Sequence, residues 1–171
     1  ARFDTGHRVG ELARRLYDPA GKGTLLEPHK EGVAQAIERS ASLLASTRPV
    51  FEAGFSAAGA RAFADVMLPI RAGGRKAWRM VEVKSATKLK DYHHDDVAVQ
   101  AYVALSAGVA LAAISLAHID SMWVYPGSGD YNGLFVEHEL TEGAFARGEE
   151  VQGWIDDAHK VVKRGSEPQR H

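Results

Sequence analysis

"ARAFADVMLPIRAGGRKAWRMVEVKS", residues 60–85, consists of two apolar, strand-like runs joined by the glycine-containing segment "RAGGR". Two such runs separated by a short glycine-rich segment predict a β-hairpin. Side chains alternate between the faces of a strand, so Glu82 and Lys84 share one face of the second run, whereas Val81 and Val83 share the other. Two charges in an otherwise apolar strand therefore need an explanation.

A third charge, Asp65, lies in the first run, where alternation predicts that it shares a face with Phe63 and Met67. The hairpin could place Asp65 beside Glu82. Two close, partly desolvated carboxylates repel each other unless one is protonated or a cation lies between them. Mg²⁺ prefers one or two carboxylates together with waters and phosphate oxygens, which predicts a metal site here. The alternative is an exposed strand edge on which Glu82 and Lys84 form a structural ion pair.

The chain before the hairpin is predicted to be helical and then extended. Apolar residues at helical spacing indicate a helix over residues 6–17 and a second helix that begins at Pro28 and ends before Pro49. A strand over residues 49–56 follows. Together with the hairpin, this strand makes a three-stranded meander.

The chain after the hairpin completes an α-β-β-β-α-β order. A helix over residues 95–106 leads to a strand over 109–125, and the turn at 126–133 connects this strand to another over 134–140. We expect a last helix to begin near Thr141, with this threonine as its cap. The order predicts an α/β fold in which a mixed β-sheet is flanked by helices.

Residues 97–119 contain no Asp, Glu, Lys or Arg and are long enough to resemble a membrane span. Polar residues such as Gln100 and His118 interrupt the stretch, and its composition changes from helix-compatible to strand-compatible at Gly108. We therefore expect a buried helix followed by a central strand, and no membrane partner.

Length and composition limit the class of protein. The 171 residues suffice for one globular domain. With 21 Lys and Arg against 22 Asp and Glu, the net charge is -1, so any contact with nucleic acid must use a local patch. The absence of cysteine excludes disulfides, thiolate zinc sites and iron-sulfur clusters, and it fits a reducing cytoplasm, where we expect this protein.

A local basic patch does occur between residues 71 and 90, where Glu82 is the one acid. Basic side chains in such a patch bind backbone phosphates without reading the base sequence. The candidate phosphate contacts are Arg71, Arg75, Lys76, Arg79, Lys88 and Lys90. The alternative is that some of them are solvated charges on an exposed hairpin.

The order "FADVMLPI" followed by "WRMVEVKSA" resembles the D-(x)n-E-x-K signature of the PD-(D/E)XK nuclease superfamily, with Ala64 at the position of the proline. The segment "DYHHDDVAVQAYVALSAG" resembles the glutamine-bearing helix of the RecB-like branch, which includes CRISPR-associated and phage-type exonucleases, and Gln100 matches that glutamine. Glu52 in "VFEAGF" resembles the extra acid of this branch. The resemblance covers residues 49–109 well, but the cysteines that hold an iron-sulfur cluster in many relatives are absent.

This resemblance implies a restriction-endonuclease-like core and a metal-dependent DNA nuclease, exonuclease-like, in DNA repair, recombination or phage- or CRISPR-type defence. The catalytic residues that it implies are Asp65, Glu82, Lys84 and Gln100. The implied ligands of Mg²⁺ or Mn²⁺ are Asp65, Glu82, the Val83 carbonyl, Glu52 and His7. Lys84 would orient the attacking water and stabilise charge on the phosphate. For His7 the alternative is an ordinary polar residue near the start of a helix, and for Gln100 it is a surface amide.

The histidines and acids of "YHHDD", residues 92–96, also suggest metal ligands. Consecutive residues of a helix point in different directions, so they cannot all bind one ion. We expect Asp95 or Asp96 to cap the following helix instead, because acids interact favourably with a helix N-terminus.

These observations predict a single nuclease-like domain over residues 1–171, with N-terminal helices in 1–47, the catalytic core in 48–140, and a C-terminal helix and tail in 141–171. The alternative function is a non-catalytic nucleic-acid-binding or interaction module that keeps the nuclease fold. The chain could also be part of a longer protein or form a homo-oligomer. The sequence does not indicate whether the substrate is DNA or RNA, whether it is single- or double-stranded, or in which direction it is cleaved.

Overall fold

A computed structural model describes residues 5–166 of the chain and the side chains of residues 8–160. Its helices are α1 (Thr5–Tyr17), α2 (Pro28–Glu31), α3 (Val33–Leu43), α4 (Asp91–Ser106), α5 (Thr141–Phe145) and α6 (Gly148–Ser166). Its strands are β1 (Thr24–Leu25), β2 (Val50–Ala57), β3 (Ala60–Ala72), β4 (Arg75–Lys84), β5 (Leu111–Ile119) and β6 (Phe135–Glu139). The predicted α/β class is confirmed, and the short strand β1 is an addition that the sequence did not predict.

The strands form one mixed sheet whose spatial order, β1 to β6, follows the chain. Strands β2, β3 and β4 pair in antiparallel fashion and form the predicted meander. The hairpin register places Ala72 opposite Arg75, so Gly73 and Gly74 make the turn with positive φ, which glycine adopts without strain. Strands β4 and β5 are parallel because α4 carries the chain across the sheet between them.

Helices cover both faces of the sheet. Met80 of β4 packs in a large buried cluster with Ala101 of α4, whereas Val81 lies in a second cluster that Tyr17 of α1 adjoins. Neighbouring residues of β4 therefore face opposite sides, as the alternation of the sequence predicts. The charged end of β4 consequently lies between two covering helices, α1 and α4.

Two helix boundaries differ from the prediction. The predicted long second helix is divided into α2 and α3 at Gly32, whose φ of 95° lies in the left-handed region and interrupts helical geometry. Helix α4 begins at Asp91 and its N-cap residue is Lys90, so the prediction that Asp95 or Asp96 caps this helix is wrong. The reason is local: His93 Nδ1 accepts a hydrogen bond from the Lys90 N–H and fixes the start of the helix one turn earlier.

The prediction that Thr141 caps the last helix is also wrong. Leu140 is the N-cap residue of α5. The Thr141 hydroxyl instead accepts a hydrogen bond of 3.0 Å from the Ile114 N–H of β5, which attaches the start of α5 to the sheet. The chain then continues in α6, a second helix where the sequence predicts one.

The long predicted strand over 109–125 ends at Ile119. Asp120 accepts a hydrogen bond from the Met122 N–H and turns the chain out of the sheet, and residues 120–134 form a loop before β6. The apolar stretch 97–119 consists of most of α4 and all of β5, as predicted. Within the described part of the chain, none of the helices is long and apolar enough to cross a membrane.

Candidate functional site

Three adjacent strands bring together the acids that the sequence singles out. Glu52 lies on β2, Asp65 on β3 and Glu82 on β4. The Asp65 N–H donates to Glu82 Oε1 at 3.2 Å, and the Val83 N–H donates to Asp65 Oδ2 at 2.7 Å. Each carboxylate thus accepts a backbone hydrogen bond from the other strand, and the hairpin does place Asp65 beside Glu82.

The sheet is irregular at this point, which explains how the acids converge. Glu52 has a φ of 59°, a left-handed conformation that is unusual for a residue with a side chain. Met67 packs in the same buried cluster as Ala64, whereas Val66 packs in the other cluster. The alternation along β3 therefore shifts by one residue at Asp65, and the prediction that Phe63, Asp65 and Met67 share a face fails because strand periodicity does not continue through this irregularity.

Burial raises the pKa of all three acids, and the charge of Asp65 adds to the effect on Glu52 and Glu82. Glu82 is 4% exposed, and burial followed by the charge of Asp65 raises its pKa well above the ordinary value. Burial also raises the pKa of Asp65 despite the hydrogen bond from Val83. Burial and the charge of Asp65 raise the pKa of Glu52 to about 7. Such clustered shifts mark a site where an added cation would relieve repulsion.

Lys84 lies at the C-terminal end of β4 and contributes the positive charge of the group. Its Nζ donates to Asp96 Oδ2 of α4 at 3.0 Å. Burial lowers the pKa of Lys84, but the hydrogen bond and charge of Asp96 outweigh it, so the pKa is raised and the amine is protonated at neutral pH. Lys84 therefore pairs with α4 rather than with Glu82.

Asp96 is a member of this site that the sequence reasoning missed. It lies four residues before Gln100 on α4, and residues four apart share a face of a helix. That spacing, combined with the prediction that Gln100 reaches the acids, was the signal that could have identified Asp96. The sequence favoured a capping role for it because its helix was predicted to start later.

Gln100 reaches from α4 to the acids. Its Nε2 donates to the Phe63 carbonyl at 2.8 Å and to Glu82 Oε2 at 3.4 Å. Its Oε1 is buried and has no hydrogen-bond partner. A buried amide oxygen without a donor is costly, so this atom has unused capacity to accept a hydrogen bond beside Glu82. The structure places Gln100 at the site and not on the surface as a solvated amide.

Helix α1 closes the site from the opposite side. Val9, Gly10, Ala13 and Arg14 of α1 line a cavity of about 190 Å³. The other lining residues are Glu52, Asp65, Val66, Val83, Lys84 and Ser85. His7 belongs to α1, but its side chain lies outside the described residues, so its predicted ligand role stays a prediction.

The candidate phosphate contacts are in three places. Arg71, Arg75 and Lys76 lie at the tip of the β3–β4 hairpin, and the six residues from Asp65 to Arg71 span about 20 Å. Arg79 lies nearer the middle of β4 and pairs with Glu137 of β6. Lys88 and Lys90 lie in the segment between the end of β4 at Lys84 and the start of α4 at Asp91. In sequence they are therefore close to Glu82 and Lys84. The position of Lys88 and Lys90 favours a role at the site more than that of the hairpin tip does.

The carboxylates form a charged cluster that is incomplete as a set of metal ligands. Among the side chains of residues 8–160, no group of three or more His, Asp or Glu is placed to hold a metal ion. Asp65 Oδ2 and Glu82 Oε1 each accept a hydrogen bond from a backbone N–H, and Glu82 Oε2 accepts the longer bond of 3.4 Å from Gln100. A partly hydrated cation would therefore bind Asp65 through its other oxygen and share Glu82 Oε2 with Gln100. Comparison with known proteins adds nothing to this geometry: no protein-family model, no curated protein and no solved structure matches the chain.

Proposed function

We propose that this protein is a metal-dependent phosphodiesterase that cleaves DNA, and that its mixed sheet is a restriction-endonuclease-like core. The observation that carries the proposal is the convergence of Glu52, Asp65 and Glu82 from three adjacent strands, where Glu52, Asp65 and Lys84 line one cavity and Glu82 is buried beside Asp65. A structural ion pair would match Glu82 with Lys84. Here the three acids outnumber the two nearby cations, Lys84 and Arg14, and Lys84 is bound to Asp96.

The donor set fits a Mg²⁺ or Mn²⁺ ion that keeps part of its water shell. Such ions take one or two carboxylates and complete their shell with water and substrate phosphate oxygens. Asp65 and Glu82 would hold the ion, with Glu52 and the Val83 carbonyl as further oxygen donors beside the cavity. The raised pKa values of the three acids support this fit, because burial disfavours their charged forms and a divalent cation would offset that cost together with the repulsion of Glu52 and Glu82 by Asp65.

When bound, the ion would supply positive charge at a phosphodiester and activate water for attack. The protein side chains would do the rest. Lys84 would stabilise negative charge that develops on the phosphate, and Asp96 would hold its amine in position. Gln100 would fix Glu82 through Nε2, and its unpartnered Oε1 would accept a hydrogen bond from a water beside Glu82.

The proposal is tested with end-labelled single- and double-stranded DNA and Mn²⁺. We expect the parent to cleave and Glu82→Gln to reduce cleavage to background, because the amide removes a charged oxygen donor. Glu137→Gln is the matched control: it makes the same chemical change on β6, in a carboxylate that pairs with Arg79. Product size and polarity also separate exonuclease from endonuclease.

Three results would contradict the proposal. A parent that cleaves nothing in Mn²⁺ and binds DNA equally well in chelator would be a non-catalytic binding module. Equal cleavage by Glu82→Gln and the parent would make Glu82 a structural residue. Equal losses in Glu82→Gln and Glu137→Gln would point to general destabilisation instead of a local site.

A further inference from the structure

The loop of residues 120–134, called here the aromatic loop, exposes apolar side chains. Met122 is 83% exposed, Val124 81% and Tyr125 47%. These are the largest exposed fractions among the large apolar side chains of the described chain, apart from Tyr92 at the start of α4. Exposed apolar groups clustered in one loop mark a binding surface more often than scattered ones do.

Three aromatic rings of this loop pack on one another. The ring centroids of Tyr125 and Tyr131 are 5.0 Å apart, and those of Trp123 and Tyr131 are 5.7 Å apart. The polar atoms of the outer rings are used inside the loop: Trp123 Nε1 donates to the Asn132 carbonyl, and the Tyr125 hydroxyl accepts from the Gly129 N–H. The loop therefore presents outwards the side chains of Met122 and Val124 and about half of Tyr125, whereas Trp123 and Tyr131 are half-buried.

Cationic side chains of α1 lie against the same rings. The Arg8 and Arg15 guanidinium carbons are each 5.8 Å from the centroid of the Tyr131 ring, and Arg8 Nη2 also donates to the Tyr131 hydroxyl at 3.1 Å. The two acids of the loop are engaged locally, because Asp120 and Asp130 each accept a hydrogen bond from a backbone N–H two residues ahead. The surface thus combines aromatic rings with the guanidinium groups of Arg8 and Arg15, and Arg8 also forms an exposed ion pair of 3.8 Å with Glu11.

The aromatic loop begins beside the cluster of acids. The Ile119 N–H donates to the Ala86 carbonyl at 2.9 Å, and Ser85, the residue before Ala86, lines the cavity that contains Asp65. Helix α1 connects the two places as well: Arg14 lines the cavity, whereas the neighbouring Arg15 contacts the loop. A nucleic-acid strand bound on the aromatic loop could therefore continue into the cavity that contains Asp65.

From these contacts we infer that the aromatic loop stacks the unpaired bases of single-stranded DNA, with Arg8 and Arg15 against its phosphates. The inference rests on the proposed function, since it names the form of DNA that the site takes. Rings with adjacent cations are the combination that binds single strands, whose bases are free to stack, whereas the bases of a duplex are already stacked on one another. A protein partner would use the apolar surface but has no need of the two guanidinium groups.

The inference is tested by fluorescence anisotropy with a labelled oligodeoxythymidine and with an abasic strand of equal length, in chelator so that nothing is cleaved. Tyr125→Ala should weaken binding of the oligodeoxythymidine at least about fivefold, the lower limit for one stacked base, and should leave the abasic strand unaffected. Tyr125→Phe keeps the ring and should bind like the parent. Unchanged binding of the abasic strand would also show that the variant is folded.

Two further variants sharpen the test. Trp154→Ala is the matched control, because Trp154 of α6 is 37% exposed and has a guanidinium, that of Arg147, 5.1 Å from its ring. It should bind both strands like the parent. Arg15→Gln should weaken both strands and lower the log-log salt slope by about 0.7, because it removes a phosphate contact and leaves the loop's rings in place.

Equal binding of oligodeoxythymidine by Tyr125→Ala and the parent would overturn the inference, as would equal losses on both strands. A protein that binds only duplex DNA would overturn it too. The outcome is independent of the nuclease proposal, because binding is measured without metal: loss of cleavage in Glu82→Gln with normal binding by Tyr125→Ala would leave the proposed function standing and remove the loop's role.

Discussion

Strand β4 carries two groups of charged side chains that differ in their balance. In the first, Glu82 lies with Asp65 and Glu52. Of the two cations near these acids, Lys84 is bound to Asp96, and Arg14 lines the same cavity as Glu52 and Asp65. In the second, Arg79 forms an ion pair with Glu137, which also accepts a hydrogen bond of 2.9 Å from the Tyr17 hydroxyl. The first group contains more acidic than basic side chains. The second is a neutral ion pair with one further hydrogen-bond donor, the Tyr17 hydroxyl.

The pKa of the acids records this difference. Burial opposes the ionisation of Glu137, but the hydrogen bonds from Arg79 and Tyr17 outweigh burial, so its pKa is lowered. Burial raises the pKa of Asp65 and Glu82, and the other acids of the group add to the effect on Glu82. Balanced ion pairs lower the pKa of their acids, whereas a buried cluster of acids with raised pKa values is typical of a functional site.

The largest difference between the two groups should appear in catalysis. Lys84→Met keeps the packing of the side-chain stem and removes the ammonium, so we expect the cleavage rate to fall by about 10² to 10³ while Mn²⁺ binding persists. Arg79→Met, the same kind of change in the neutral group, leaves the acids and Lys84 in place, so at saturating DNA its single-turnover rate should equal that of the parent, and any loss of its candidate phosphate contact should appear in DNA affinity alone. The measurements are single-turnover cleavage and titration calorimetry. Normal cleavage by Lys84→Met would make its bond to Asp96 a structural ion pair.

A smaller loss of activity is expected at Gln100, which contacts the first group without belonging to its charges. Gln100→Ala removes the hydrogen bond to Glu82 and the unpartnered Oε1, and groups that orient metal ligands typically contribute about 10- to 100-fold to affinity or activity. Gln152→Ala on α6 is the control glutamine. Parental activity in Gln100→Ala, measured at saturating Mn²⁺, would leave this glutamine a purely structural role.

The two groups should respond in opposite directions when a charge is removed from the metal-free protein. Asp65→Asn relieves repulsion among buried acids, so the free energy of unfolding should rise. Glu137→Gln weakens a partly exposed ion pair and should lower the free energy of unfolding by about 1 kcal/mol. Urea titration in chelator measures both values. Destabilisation by Asp65→Asn would show that the hydrogen bond to Val83 outweighs the repulsion.

The smallest expected effect is on the pH dependence of stability. Glu52 has a pKa of about 7 in the folded protein against an ordinary value of 4.5, so the folded state holds its proton more tightly than the unfolded state does. Its contribution to the free energy of unfolding is therefore fully present below pH 4.5 and is lost as the pH rises through about 7. The lowered pKa of Glu137 gives the opposite sign, with stability lost as the pH falls below its ordinary value. We expect Glu52→Gln, measured in chelator, to reduce the loss of unfolding free energy between pH 4.5 and 7. Glu137→Gln should instead reduce the loss of unfolding free energy at acidic pH. Equal curves for Glu52→Gln and the parent would contradict the burial of Glu52.

The hairpin and its acids could be predicted because their signals are local. Apolar alternation and the glycine pair of "RAGGR" define β3, β4 and the turn between them, and the antiparallel register then places Asp65 near Glu82. The helix that contains Gln100 was likewise predictable from its apolar composition. Its start was not, because the hydrogen bond between His93 and the Lys90 N–H depends on side-chain geometry that no periodicity reveals.

The class of the fold, the meander, and the positions of the acids and the lysine therefore follow from residue type and short-range periodicity. Which charges are balanced depends on the packing of distant segments. This packing pairs Lys84 with Asp96, leaves Gln100 Oε1 without a partner, and brings the rings of the aromatic loop against α1. Those contacts join residues far apart in the chain, and the convergence of the acids occurs at the irregularity of Glu52 and Asp65, where the period of the strands breaks.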